Sequence, residues 1–208
     1  MNALKKMPLM EVCNWLMRMA YINILWIVFT LLGAVVAGFS PATAAAFSVC
    51  RRWIRSKEEF PVFRVFWQEY KHNFIGSQGY GWITIVLMGV LYLDFLYFSS
   101  KSSTIFFVFS AIAIVLSIML AMAVVYIFPV YTHYRLNFFQ YWKYALSIAM
   151  VHPLQTIFTV AGALTIGAIL LKLPSLLPFF GVSAITVWLT WRTQKIVIKI
   201  DEIKEAVS

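Results

Sequence analysis

Few residues in this 208-residue chain could do chemistry, and Asp94 is the only acidic residue inside a long apolar stretch. Burying a carboxylate in a membrane costs free energy, so a residue of this kind by default indicates a functional role. However, Asp94 lies about one helical turn before the polar stretch 99–103, so its carboxylate can reach headgroups or water. We therefore expect a structural or interfacial role for Asp94 rather than a proton relay.

The remaining candidate residues do not form a recognisable reaction centre. His72 and His133 fall in interfacial segments, His152 precedes Pro153, and no His, Cys, Asp or Glu residues have the spacing of a metal site. The sequence contains no phosphate-binding loop ending in Lys-Ser or Lys-Thr, and no nucleophile elbow. Cys13 and Cys50 lie in or beside apolar stretches, where free thiols behave as small hydrophobes. We expect no enzymatic activity, no cofactor and no metal.

The composition is that of a membrane protein. Hydrophobic residues make up 62% of the chain and charged residues 12%, whereas soluble domains average about 45–50% and about 25%. Five stretches lack Asp, Glu, Lys and Arg, and each approaches or exceeds the roughly 20 residues of a spanning helix. These stretches are 19–50, 72–93, 102–134, 144–171 and 173–191. The pattern excludes a secreted, cytosolic or disordered protein.

We predict an all-α fold in which residues 1–208 form one integral membrane domain, a polytopic helix bundle. The predicted crossings are 20–39, 75–98, 104–126, 154–171 and 176–190. Amphipathic segments that we expect at the cytoplasmic interface are 41–74, 132–143 and 192–208.

The basic residues predict the orientation in the cell membrane. Of 17 Lys and Arg residues, 12 fall in the segments 41–74, 132–143 and 192–208. We therefore expect these segments and the C-terminus to be cytoplasmic, where they face anionic lipids, and we expect no nucleic-acid binding. Ser40 is a good helix N-cap and Pro41 fits the first helical position. A short helix at 41–50 could then form a re-entrant hairpin that returns the chain, or it could lie in the interface, so the side of the N-terminus stays open.

Aromatic residues at steps of three and four between positions 60 and 74 predict a helix with one aromatic face. Such a helix rests among lipid headgroups or packs on a neighbouring protein. The residues that we predict to bind a partner are Phe63, Arg64, Phe66, Trp67, Tyr70, Lys71 and Phe74. A membrane-surface helix without a partner is the alternative.

The first third of the chain resembles the YesL-like integral membrane proteins of bacteria. The resemblance rests on the Asn-Ile-Leu-Trp run 23–26, Gly38, the run 41–45, Arg51, Trp53, Arg55, the run 62–67, Tyr70, Lys71, Asn73 and Phe74. Pro41, Thr43, Arg51 and Trp53 are expected to be structural motif positions. Ser40 departs from the family pattern, which often has a second small residue there.

The resemblance implies a non-enzymatic accessory subunit, or an assembly or regulatory factor, of a carbohydrate ABC importer. The family's genes tend to lie beside such importers, so the implied partners are the importer's transmembrane subunits. Two alternatives stay open. An independent transporter or channel would use the polar residues Thr84, Ser110, Ser117, Thr156, Thr159, Thr165 and Thr186 besides Asp94. A membrane-bound sensor or enzyme for glycans is the other.

Overall fold

The computed structural model describes residues 9–56, 59–101, 103–134 and 136–207. Within these ranges the chain forms eight α-helices and no strand, which confirms the all-α prediction. The helices are α1 Leu9–Leu32, α2 Val36–Arg55, α3 Val62–His72, α4 Phe74–Ser99, α5 Thr104–His133, α6 Phe138–Val151, α7 Pro153–Lys172 and α8 Leu177–Val207. Lys5, Lys6, Lys57, Arg135 and Ser208 lie outside the described residues.

Among the described residues, five segments are long and apolar enough to cross a membrane, as expected for a multi-pass membrane protein. They are Glu11–Leu32, Phe74–Ser99, Thr104–His133, Pro153–Lys172 and Pro174–Val197. The middle segments match the prediction closely at their N-terminal ends. The predicted tail helix 192–208 is continuous with the last spanning segment, because α8 runs unbroken to Val207.

The first turn lies seven residues earlier than the Ser40–Pro41 junction that we expected. α1 ends at Leu32, and α2 begins at Val36 after a tight turn in which the N–H of Val36 donates to the carbonyl of Ala34 at 2.7 Å. Ala34 and Val35 have φ angles of 54° and 64°, and positive φ is costly for a β-branched residue. Two glycines, Gly33 and Gly38, face each other across the turn with their backbones in close approach.

Pro41 therefore lies inside α2, where its missing N–H leaves the carbonyl of Ala37 without its helical donor. The structure compensates, because Gln78 Nε2 on α4 donates to that carbonyl at 3.2 Å. Close by, a Cβ added to Gly81 would collide with the hydroxyl of Ser40. The proline thus forms part of a tight crossing between α2 and α4 rather than a helix start.

α2 is the central helix of the bundle. It runs antiparallel to α1, because the Trp15 and Trp53 rings are 4.2 Å apart at one end and Gly33 meets Gly38 at the other. It also packs on α3, α4, α5 and α8. Every residue from Ser40 to Cys50 is buried. The short helix predicted at 41–50 is thus the buried middle of a 20-residue helix.

Two hydrophobic cores flank the central helix. One joins α1, α2 and α3 around Ile22, Phe29 and Phe66. The other joins α4, α5, α6 and the C-terminal part of α8 around Tyr80 and Tyr126. The predicted interfacial segment 132–143 comprises the end of α5 and the start of α6, and its interfacial position stays a prediction.

Candidate functional site

The candidate site lies around α3, the helix that the aromatic spacing predicted. Phe29 of α1 is inserted among four aromatic rings of α3, with centroid distances of 6.2 Å to Phe63, 5.2 Å to Phe66, 5.3 Å to Trp67 and 5.0 Å to Tyr70. The Tyr70 hydroxyl also donates to the Phe29 carbonyl at 3.1 Å. These contacts hold α3 against α1, so the aromatic face serves first as an internal packing surface.

The seven residues predicted to bind a partner divide into two groups. Phe66 and Tyr70 are buried, and Phe74 is half-buried against the Tyr70 ring, so they hold α3 in place. The exposed group comprises Phe63, Arg64, Trp67 and Lys71, with 53% of Phe63 and 38% of Trp67 accessible. The Lys71 ammonium lies 4.2 Å above the Trp67 ring. These four residues, the α3 surface, carry aromatic rings and positive charge on a firmly anchored helix.

A polar network lies beneath the α3 surface, and sequence reasoning did not find it. Glu69 accepts from the Ser48 hydroxyl of α2 at 3.0 Å and from Asn73 Nδ2 at 3.0 Å. The Tyr131 hydroxyl of α5 then donates to Asn73 Oδ1 at 2.9 Å. Buried polar groups need such partners, and this network ties α2, α3 and α5 to the α3–α4 junction. No sequence spacing links residues 48, 69 and 131, so only the fold reveals the set.

Next to the network, Arg51 lines a cavity of about 10 Å³ between α2, α5 and α8. The cavity has room for about one water molecule. Thr193, 3% exposed, has a hydroxyl with no partner among the described residues, and it also lines this space. Burial lowers the pKa of the Arg51 guanidinium, Glu69 opposes this shift, and Arg55 adds to it. The cavity suits a bridging water and is too small for a sugar or a nucleotide.

The four motif residues hold the central helix in place. Pro41 lies at the crossing with α4. The Thr43 hydroxyl accepts a hydrogen bond from the Trp26 indole N–H of α1 at 3.1 Å. The Arg51 carbonyl accepts from Gln194 Nε2 of α8 at 3.3 Å, and Trp53 packs on the Trp15 ring. The structural role that the resemblance implies for these four residues stays a prediction.

Asp94 lies far along α4, near the tip of the α4–α5 hairpin. Its side chain is half-buried, and no described residue forms a hydrogen bond or ion pair with it. Near this tip the Phe98 ring packs on Phe106 and Phe109, at 6.0 and 5.3 Å. The described residues also contain no group of three or more His, Cys, Asp or Glu that could hold a metal. Among the described residues Asp94 thus has no hydrogen-bond or ion-pair partner to which it could pass a proton.

Comparison with known proteins identifies the family. Residues 19–95 match the family model described as "Protein of unknown function, DUF624". The chain is 33% identical to the Bacillus subtilis (strain 168) "Uncharacterized protein YesL" over 193 residues, which covers 93% of this chain and 91% of YesL. It is also 33% identical to YteU of that organism over 178 residues, covering 86% and 80%, and 32% identical to YesV over 169 residues, covering 81% of each chain. No solved structure matches the chain. Since three relatives exceed 30% identity over most of their length, the chain belongs to the YesL-like family of membrane proteins.

Proposed function

We propose that this protein is a non-enzymatic accessory subunit, or an assembly or regulatory factor, of a carbohydrate ABC importer in the bacterial cell membrane. The observation that carries the proposal is the α3 surface. Phe63 and Trp67 are exposed aromatic residues beside two cations, and aromatic and arginine residues are enriched where proteins bind each other. The buried residues Phe66 and Tyr70 fix α3, so this surface is ordered before a partner arrives.

We place the α3 surface at the cytoplasmic face. Basic residues of two helices meet the chain just before α3: Arg18 of α1 pairs with Glu59 at 3.1 Å, and the Arg52 guanidinium of α2 lies 5.1 Å from the Phe60 ring. A concentration of Lys and Arg is typical of the cytoplasmic side. On this proposal the N-terminus and the C-terminus are both cytoplasmic.

Labelling of Cys13 tests this orientation, since Cys13 is exposed near the start of α1 whereas Cys50 is buried. A membrane-impermeant maleimide should not label Cys13 in intact protoplasts and should label it after permeabilisation. A Cys50→Ser background removes the second thiol. Labelling from outside intact protoplasts would contradict the proposed orientation.

The alternative of an independent transporter receives less support from the polar residues that it would need. Seven hydroxyls were candidates for a polar pathway, and each donates to a backbone carbonyl three or four residues back along the chain. They are Thr84, Ser110, Ser117, Thr156, Thr159, Thr165 and Thr186. Such back-bonding is the ordinary state of Ser and Thr in membrane helices.

Purification from native membranes in mild detergent tests the accessory role. The tagged chain, expressed at its native level, should co-purify with the transmembrane subunits of a carbohydrate ABC importer, identified by mass spectrometry. The double substitution of Phe63→Ala and Trp67→Ala should reduce this recovery. Phe139→Ala is the matched control, because Phe139 is an aromatic residue of α6 that is 82% exposed.

Two outcomes would overturn the proposal. One is the absence of any importer subunit from the native preparation. The other is equal recovery with the double variant and with the Phe139→Ala control, which would show that the α3 surface takes no part in binding. Size-exclusion profiles of the variants establish that each remains folded.

A further inference from the structure

An apolar pocket of about 380 Å³ opens between α1, α7 and α8. Trp26 and Ile27 of α1, Leu170 of α7 and Ile185 of α8 supply its walls. Gly167 also lines it, and a Cβ added there would meet nothing within 4 Å, so the glycine leaves the space open. Ligand pockets typically enclose about 300–1,000 Å³. This pocket therefore has the size of a binding site.

The polar side chain that lines the pocket is already saturated with hydrogen bonds. Asn23 Nδ2 donates to the carbonyls of Leu177 and Pro178, at 3.2 and 2.8 Å. Asn23 Oδ1 accepts from the N–H groups of Val182 and Ser183, at 2.8 and 3.2 Å. Since a buried polar ligand needs hydrogen-bonding partners, this wall offers nothing to a sugar or a peptide. The pocket selects hydrocarbon.

The position of the pocket indicates where the hydrocarbon comes from. α1, α7 and α8 all contain candidate membrane-spanning segments, and Leu171 beside the pocket is 73% exposed. A transmembrane helix is about 10–12 Å across with its side chains and rises about 5.4 Å per turn, so a single turn occupies more than about 400 Å³, too much for a space of about 380 Å³. A single flexible chain fits it well.

We propose that this pocket binds one acyl chain of a membrane phospholipid. The chain enters from the surrounding lipid and packs on Trp26 and Ile27 opposite Gly167. The bound lipid would fill the space between α1 and α7, two helices that meet mainly through α8. This inference is independent of the importer proposal, since it concerns another surface of the bundle.

Two glycines provide a matched test. In both Gly167 and Gly89 an added Cβ would meet nothing within 4 Å, and both lie in membrane-spanning helices, but only Gly167 lines the pocket. Gly167→Leu should fill the pocket without a clash. Gly89→Leu adds the same bulk on α4. Ile185→Phe enlarges a different wall residue and guards against a local defect at residue 167.

The full-length protein is reconstituted in nanodiscs of dioleoyl phosphatidylglycerol that contain a trace of the same lipid with a diazirine on one acyl chain. After irradiation, we expect adducts on the peptides that contain Trp26–Ile27 and Leu170–Leu171, and native mass spectrometry should show one retained phospholipid. Gly167→Leu and Ile185→Phe should lose both signals, whereas Gly89→Leu should keep them. Three results would overturn the proposal. The wild type could give no adducts on these peptides, the adducts could persist in both filled variants, or the species bound at the pocket could prove to be another polypeptide.

Discussion

Asn23→Leu tests the contact between α1 and α8 most directly. Interhelical hydrogen bonds in membrane proteins average about 0.6 kcal/mol each and reach about 1.7 kcal/mol. The four bonds of the Asn23 amide therefore contribute about 2.4 kcal/mol at that average. Part of this is recovered, because the carbonyl of Pro178 and the N–H of Val182 are four residues apart and bond each other in a regular helix.

The expected loss of stability for Asn23→Leu is thus about 1–2 kcal/mol. For a chain of 150–250 residues, each kcal/mol shifts the Tm by about 2–4 °C. We expect the Tm to fall by about 2–8 °C. Asn23→Asp should be worse, because a carboxylate cannot donate to the carbonyls of Leu177 and Pro178 and would place a charge at a site that is 1% exposed.

Cys50 supplies the assay. It is fully buried, and burial raises the pKa of its thiol to about 12, so it stays protonated and unreactive in the folded protein. In a Cys13→Ser background, a fluorogenic maleimide then reports unfolding through Cys50 alone. Thr165→Val is the matched control, since Thr165 is exposed and bonds only its own helix. The control should stay within about 0.5 kcal/mol. Equal Tm values for Asn23→Leu and the control would refute the reasoning.

The same assay tests the crossing of α2 and α4. Gln78→Leu should cost about 1 kcal/mol by leaving the carbonyl of Ala37 without a donor. In a Pro41→Ala background the backbone N–H returns, so the cost of Gln78→Leu should approach zero, and an unchanged cost would contradict this account. Gly81→Ala should cost about 1–3 kcal/mol because its Cβ collides with the Ser40 hydroxyl. Ser40→Ala should recover part of that loss, and no recovery would place the strain elsewhere.

Charge and apolar length predicted four of the five candidate spans closely. Each candidate span within 74–197 contains or closely matches a predicted crossing, because lipid imposes a minimum apolar length on any helix that crosses it. The aromatic spacing also placed α3 correctly, within one or two residues of its observed bounds Val62–His72. The length of an apolar stretch and the spacing of aromatic residues both depend on residues that are close together in the chain, so the sequence alone reveals them.

The turn between α1 and α2 could not be predicted in the same way. Ser40-Pro41 is a strong local signal for a helix start, yet Gln78 satisfies the carbonyl that Pro41 leaves free. The turn forms instead where Gly33 and Gly38 let two backbones meet. The cause is a contact between helices, so no local pattern marks it. The network of Ser48, Glu69 and Tyr131 escaped prediction for the same reason.

The central helix shows why hydropathy alone does not find every long helix of the bundle. α2 is not among the candidate spans, although its 20 residues would extend about 30 Å. Its small residues, such as Ala42, Ala45 and Ala46, are 0% exposed because α1, α3, α4, α5 and α8 surround them. A helix shielded by protein needs no lipid-compatible surface, so hydropathy underestimates it. Because Gln78, near the start of α4, binds the Ala37 carbonyl near the start of α2, α2 crosses α4 inside the bundle and is not counted as a sixth span.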